Sequence, residues 1–161
     1  MAEPMMKLLH ILAAAAFGLA SAAAAVPPTE PDRIALHRLA AENDAAWTAK
    51  DAATISGQYV ADGSARVGHD SGPVAGREAL RAFFAANFAR RQPGFRHVTE
   101  LDHIEMIGAD AASADAKVRV ERVNAAGGWE LVREFRTNGL VVRDGGGWRM
   151  RSVRAHPLSA R

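Results

Sequence analysis

Two histidines of this chain could carry acid or base chemistry. Histidine ionises near neutral pH and is the commonest general acid or base in enzymes. His69 has the same strand parity as Val67, so both side chains would face one side of a short strand. His97 opens a later strand. The alternatives are a histidine at the rim, in the loop 68–72, for His69 and a surface histidine at a strand end for His97.

A cation is predicted on an otherwise apolar strand face. Alternation along a strand gives Arg133 the same face as four other side chains: Trp129, Leu131, Phe135 and Thr137. An arginine in such surroundings needs a carboxylate partner or a ligand. The sequence leaves two alternatives open, a group on a bound molecule or a salt bridge to Glu100 or Glu121.

Metal and thiol chemistry have little support in the sequence. His103 and Glu105 could face the same side of a strand, but two such residues without further ligands are weak evidence for a metal. The chain has no cysteine, which excludes disulfides and a cysteine nucleophile. We therefore predict neither a metal nor a cofactor.

Three helices are predicted to precede most of the strands. Thr29 is a good N-cap, followed by an early proline, and the helix that it starts would run to about residue 50. Asp51 would cap a second, short helix over residues 52–59. A third helix is expected over residues 78–90.

The rest of the chain reads as strands and turns. Small apolar residues alternate with charged ones over residues 114–121, which is typical of an antiparallel strand with one face in water. The expected strands are 65–69, between the second and third helices, and then 97–107, 114–121, 129–142 and 148–154. This order predicts an α+β fold.

The first residues are typical of an export signal. Lys7 is followed by an apolar run over residues 8–20 and by small residues suited to cleavage. We expect residues 1–25 to be removed as a secretory signal peptide and residues 26–161 to form one domain, periplasmic or secreted. The alternative is a retained membrane anchor, although a run composed mostly of alanine drives insertion weakly.

The charge pattern argues against nucleic-acid binding. The formal net charge is only +2, and acidic residues are interspersed along the chain. A nucleic-acid site would need a denser basic face with interleaved aromatic residues. The arginines near the C-terminus are therefore interpreted as a solvated strand face.

The order of these elements resembles the nuclear transport factor 2-like superfamily, in its SnoaL-like and ketosteroid-isomerase-like branches. The resemblance rests on the joints of the fold: Asp51 to Tyr59, Asp62, Gly76-Arg77-Glu78, and Asp144-Gly145 with Trp148-Arg149-Met150. It implies a cone-shaped roll of three helices on a strongly curved antiparallel, or mixed, sheet around an internal pocket. It also implies a homodimer through the sheet, whose outer face would carry Lys117, Arg119, Glu121, Arg149 and Arg151.

The same resemblance argues against the isomerase mechanism. Ketosteroid isomerase uses an aspartate base, with a tyrosine and a protonated carboxylic acid that stabilise the enolate. The tyrosine position is Asn43 here, the base position is Val67, and the acid position lies near Arg136 or Thr137. None of the three roles is filled, so the resemblance covers the fold and not this mechanism.

The resemblance implies a binding pocket lined by a defined set of side chains. The predicted ligand-binding residues are Asn43, Trp47, Val67, Phe84, Phe88, Arg133 and Phe135, and the candidate catalytic residues are His69 and His97. Some relatives carry a pocket histidine near the position of His97. The alternatives are a helix-to-sheet hydrogen bond for Asn43 and plain core packing for the aromatic residues.

Two functions remain open. The first is an exported protein that binds a small, largely apolar molecule in its pocket. The second is a cofactor-independent isomerase, lyase or cyclase that uses a pocket histidine as acid or base, with Asn43 and Arg133 orienting a carbonyl or carboxylate.

Overall fold

The computed structural model describes residues 26–67 and 72–157. The elements are α1 (Glu30–Ala49), α2 (Ala52–Gly57), β1 (Tyr59–Val67), β2 (Val74–Ala75), α3 (Arg77–Ala89), β3 (Phe95–Gly108), β4 (Ala111–Val123), β5 (Trp129–Asp144) and β6 (Gly147–Pro157). The predicted signal peptide and His69 lie outside the described residues.

The strands form one six-stranded sheet in the order β2-β1-β6-β5-β4-β3. β1 runs parallel to β6, and every other pair is antiparallel, so the sheet is mixed. The helices pack on the inner face of this curved, open sheet, with α1 against β3 and β6 and with α3 against α2 and β1. The predicted α+β class with three helices is confirmed.

Helix α1 begins and ends where local chemistry requires. The hydroxyl oxygen of Thr29 accepts a hydrogen bond from the backbone N–H of Asp32, which satisfies one of the free donors of the first turn. Lys50 ends the helix in the left-handed conformation, at φ 60°. The predicted bounds of this helix are therefore confirmed to within a residue.

Two clusters of buried side chains join the helices to the sheet. The larger consists of Ala46, Ile55, Tyr59, Ala65, Leu80, Phe84 and Phe88. The smaller consists of Leu36, Ala112, Val141 and Trp148. Ala112, Ala114 and Ala116 alternate along β4 on the inner face, and their small side chains leave space between the clusters.

The first strand begins six residues earlier than predicted. Tyr59, expected to close α2, starts β1 because it pairs with Met150 of β6. The register then shifts between Tyr59 and Ser64, and at Gly63 a β-carbon would approach the oxygen of Val60 to 3.0 Å. Asp62 lies inside this strand, and its carboxylate pairs with Arg151 of β6.

A bulge in β5 places Trp129 and Leu131 on the face opposite to the predicted one. Arg133 pairs with Val120, whereas Leu131 pairs with the next residue of β4, so Val132 is the extra residue. The insertion turns Leu131 and Trp129 to the outer face, where the guanidinium carbon of Arg96 lies 4.2 Å from the centre of the Trp129 ring. Simple alternation had placed both residues with Arg133.

Candidate functional site

A cavity of about 150 Å³ lies between the helices and the concave face of the sheet. Its wall is mostly apolar and comes from α1, α2, α3 and the inner faces of five strands. The alanines of β4 form much of its floor, and Leu36, Leu39 and Met150 belong to its sides. Polar groups are few in this wall, so each of them bears on what the cavity could do.

A histidine–aspartate pair forms the most ordered polar group of the wall. His97 is 8% exposed, and its Nδ1 lies 2.7 Å from Oδ1 of Asp44 on α1. A carboxylate can only accept, so Nδ1–H donates to it and the lone pair is left on Nε2. No described residue bonds to Nε2, and His97 lines the cavity, so this nitrogen is available to a bound molecule.

Asp44 is held by further donors. The backbone N–H of Thr99 donates to its Oδ2 at 2.6 Å, and the hydroxyl of Thr99 donates to its Oδ1 at 2.7 Å. These bonds fix the carboxylate to β3, and through it they fix the tautomer and the orientation of the imidazole. The arrangement resembles the orienting acid of a catalytic triad, without a nucleophile next to Nε2.

Aromatic rings hold the other side of the imidazole. Trp47 stacks on His97 with ring centres 4.8 Å apart and planes 13° from parallel. Phe88 meets Trp47 edge to face at 5.0 Å, and the guanidinium carbon of Arg91 lies 5.0 Å from the centre of the Trp47 ring. Burial of Arg91 lowers the pKa of its guanidinium. His97 is therefore fixed by a hydrogen bond at one edge and by stacking on one face.

Asn43 and Tyr59 add two polar groups to the wall. The side-chain N–H of Asn43 donates to Oε1 of Gln58 at 2.7 Å, so the amide is partly used by the protein, through α2 and not through the sheet. Burial raises the pKa of the Tyr59 phenol, which stays protonated at neutral pH. Its hydroxyl has no hydrogen-bond partner among the described residues and can donate to a ligand.

Arg133 is a cavity residue whose predicted salt bridges do not form. Glu100 pairs with Lys117 at 3.0 Å, and Glu121 pairs with Arg96 at 2.6 Å. Both glutamates lie on the outer face, by the regular alternation of β3 and β4, whereas Arg133 faces inward. Within residues 26–67 and 72–157, Arg133 has no ion pair, and its guanidinium carbon lies 5.4 Å from the Phe135 ring.

Most of the predicted pocket residues meet in one cavity. The wall includes Asn43, Trp47, Val67, Phe84, His97, Arg133 and Phe135. Phe88 was also predicted to line the pocket, but it lies outside the cavity wall. It is 4% exposed and packs behind Trp47 in the core. The surface alternative for His97 was also wrong, since β3 begins at Phe95 and turns this side chain inward.

Asp44 and Tyr59 were not predicted as residues of the site. Asp44 lies three residues before Trp47, a spacing that puts both on one face of a helix. The position of Asp44 next to the apolar residues of α1 could therefore have indicated that its carboxylate bonds to a partner inside the fold. Tyr59 had no comparable sign, because its place in the wall depends on the early start of β1.

The ketosteroid isomerase positions carry no carboxylate in the structure. Asn43, Val67 and Thr137 line the cavity, while Arg136 faces outward and bonds Asp102 at 2.6 Å. His103 and Glu105 lie 3.9 Å apart on β3, and no group of three metal-ligating side chains occurs in the described part of the chain. None of the helices described is long and apolar enough to span a bilayer.

Solved structures with this architecture come from several bacteria. A Mycobacterium tuberculosis protein of unknown function is 24% identical and has a TM-score of 0.69, over 81% of this chain and 73% of its own. A domain of unknown function with a cystatin-like fold from Nostoc punctiforme is 17% identical, with a TM-score of 0.70 over 83% and 81%. These likenesses show the fold alone.

A third similar structure names the superfamily. It is a nuclear transport factor 2-like protein with a cystatin-like fold from Novosphingobium aromaticivorans, 23% identical, with a TM-score of 0.65 over 81% of this chain and 84% of that one. No curated protein matches the chain. The model of the SnoaL-like domain family matches residues 30–154, from the first turn of α1 to near the end of β6. The chain therefore belongs to the SnoaL-like domain family, and its fold is similar to that of the nuclear transport factor 2-like protein.

Proposed function

We propose that this protein binds a small, largely apolar molecule in the cavity between its helices and its sheet. The observation that carries the proposal is the mostly apolar wall interrupted by a few unpaired polar groups, Nε2 of His97 and the Tyr59 hydroxyl among them. This composition is usual for small-molecule sites, where apolar walls give affinity and a few polar groups give orientation. The SnoaL-like fold supports a ligand-binding or isomerase-type protein.

The size of the cavity supports a ligand with a compact apolar body. An apolar cavity of about 150 Å³ takes up benzene in other proteins. Val67 of the wall is 43% exposed, so a longer molecule could extend past it toward solvent. We therefore expect a body of about one or two rings, with a gain of roughly 25 cal/mol for each Å² of apolar surface removed from water.

Filling the cavity tests the binding proposal. Ala116→Leu adds apolar volume to the floor, and we expect it to weaken the binding of 2-naphthamide at least about tenfold, the equivalent of 1.4 kcal/mol, in isothermal titration calorimetry. Ala111→Leu is the control, because Ala111 is on the outer face of the same strand. Equal affinities for wild type and Ala116→Leu would contradict the proposal, as would no binding to wild type.

The His97–Asp44 pair favours a second candidate, an acid–base enzyme of the isomerase or lyase type that needs no cofactor. A fixed imidazole with a free Nε2 could remove a proton from a carbon next to a carbonyl and return it to the same or another position. The Tyr59 hydroxyl could donate to the carbonyl oxygen as negative charge develops there. Each of these groups belongs to the wall of the same cavity.

Proton exchange on a bound ketone tests this candidate. In deuterated buffer, the protein should accelerate exchange at the methyl group of 2-acetonaphthone, followed by NMR. His97→Gln should abolish the acceleration while ketone affinity is kept, because a general base contributes about 10²- to 10⁴-fold. Asp44→Asn should lower the rate with an altered pH profile. Exchange at the buffer rate in wild type would exclude the candidate and leave the binding proposal standing.

We also propose that the domain acts after export, in the periplasm or outside the cell. The support is the charged start and apolar run at the N-terminus, with small residues before Val26. The N-terminal residue of the protein isolated from its native host tests this. A start near Val26 would agree with the proposal, and a start at Met1 would contradict it.

A further inference from the structure

Arg133, the arginine of the cavity wall, indicates the charge of the ligand. This inference rests on the proposed binding function. Arg133 follows the bulge at Val132, and bulges commonly re-aim a side chain beside a functional site. Arg133 keeps the regular alternation of Phe135 and Thr137, which also belong to the cavity wall, and the bulge turns only the residues before it to the outer face. Arg133 is therefore the first residue of β5 whose side chain faces the cavity.

Arg133 and His97 belong to the same row across the sheet. Both pair with Val120, one from β5 and the other from β3, so their side chains point to the same face. Their backbones are about 10 Å apart, because neighbouring strands lie about 4.8 Å apart. Phe135 is the shared wall between them, with its ring 6.0 Å from the His97 ring and 5.4 Å from the Arg133 guanidinium carbon.

The polar groups around Arg133 do not neutralise it. Asp44 bonds to two residues of the wall, and its acceptors are already used by one bond from His97 and two from Thr99. The glutamates of the neighbouring strands pair with cations on the outer face. Among the described residues, the guanidinium therefore has a positive charge that no acid compensates, on an exposed side chain at the solvent-facing edge of the cavity wall.

We propose that the ligand is a small apolar monocarboxylate whose carboxylate binds Arg133 and whose apolar body lies against Phe135, toward His97. Arginine suits this role because its planar fork donates two parallel hydrogen bonds to a carboxylate. A body one or two rings long then spans the row and brings a carbon of the ligand to Nε2 of His97. The carboxylate sets the direction in which the molecule enters.

A matched pair of probes tests the charge of the ligand. 2-Naphthoate and 2-naphthamide have the same shape and differ in charge, and we expect wild type to bind the carboxylate about 10- to 100-fold more tightly. Arg133→Met should abolish this preference, because it weakens the binding of the carboxylate far more than that of the amide, as measured by isothermal titration calorimetry. Arg133→Lys should restore part of the preference, because the charge returns without the planar fork.

Arg136→Met is the control, because it removes an equal charge from the outer face of the same strand. It should keep the preference of wild type. Equal affinity of wild type for the two probes, or a preference that survives Arg133→Met, would overturn the inference and leave the apolar site intact. Binding of neither probe to wild type would overturn the proposed function together with the inference.

Discussion

Two aspartates, twelve residues apart on α1, connect this helix to the sheet. Asp44 bonds to His97 and Thr99 of β3. Asp32 accepts from the indole N–H of Trp148 at 3.2 Å and pairs with Arg143, on β6 and β5. Asp32 is buried and Asp44 is half-buried, and both carboxylates are tolerated because donors surround them. The helix that carries one wall of the cavity is thus held by charge at both ends.

Asp32 makes the stability of the protein depend on pH. The hydroxyl of Thr29 and then Trp148 and Arg143 lower the pKa of Asp32 below its ordinary value of 3.8, against the opposing effect of burial. The unfolded chain therefore binds a proton at a higher pH than the folded protein does. The stabilisation by Asp32 is complete above about pH 4 and is lost as the pH falls through the lowered pKa.

We expect Asp32→Asn to melt at a lower temperature than wild type at pH 7 and to lose less stability between pH 5 and 3. Thermal unfolding followed by circular dichroism measures both. Asp110→Asn is the control, since this exposed carboxyl lies 3.6 Å from the same Arg143. Some acid sensitivity will remain, because hydrogen bonds from Thr54 also lower the pKa of Asp51. Parallel curves for wild type and Asp32→Asn would contradict the prediction.

At the residue scale, the sequence could predict which side chains face the cavity more readily than what they bond to. Asn43, Trp47 and Phe84 follow from helical spacing, and His97 follows from a resemblance. The pairing of His97 with Asp44 joins residues 53 positions apart, and only the packing of α1 on β3 brings them together. No local sequence pattern extends over 53 residues, so none could predict this pair.

At the element scale, local chemistry predicted the helices well and the strand ends poorly. Thr29 and Asp51 are cap residues whose effect lies within three positions, so α1 and α2 begin where expected. Tyr59 instead joins a strand through β6, a partner that comes some ninety residues later. Strand boundaries depend on such distant pairing, which composition does not encode.

The bulge at Val132 is also a feature that the sequence pattern did not predict, and it affects more side chains. Alternation assumes one residue per position, and a single inserted residue exchanges the two faces of everything before it. Trp129 and Leu131 were thereby assigned to the wrong side, while Arg133, Phe135 and Thr137 were assigned correctly. An error of one residue in the register thus assigned two exposed side chains to the cavity wall.

At the scale of the whole molecule, the outer face of the sheet has unequal charge. β3 presents Glu100, Asp102 and Glu105, whereas β6 presents Arg151, Arg154 and His156. The resemblance implies a homodimer through this sheet. If its two-fold axis runs along β5, β4 of one copy faces β6 of the other and β3 faces β1, and if the axis runs across the strands, each strand faces its own copy and like charges meet.

One row of the sheet shows how the first arrangement would fit. Asp115 of β4, Asn138 of β5 and Arg154 of β6 lie side by side on the outer face. A two-fold axis through Asn138 places Asp115 against Arg154 of the partner subunit, and the contact occurs twice because such an interface is self-complementary. Asn138 already bonds Asp115 at 2.6 Å, which holds the carboxylate in this row.

We therefore expect a homodimer in which charge reversal on either strand weakens association and reversal on both restores it. Asp115→Arg would set two arginines face to face, and Arg154→Asp would do the same with two aspartates. Each should raise the dimer dissociation constant about tenfold or more, in line with the cost of like charges across an interface, as measured by analytical ultracentrifugation. The double variant should recover the wild-type constant, because the pairs re-form with their signs exchanged. A monomeric wild type, or a double variant no better than the singles, would rule out this geometry.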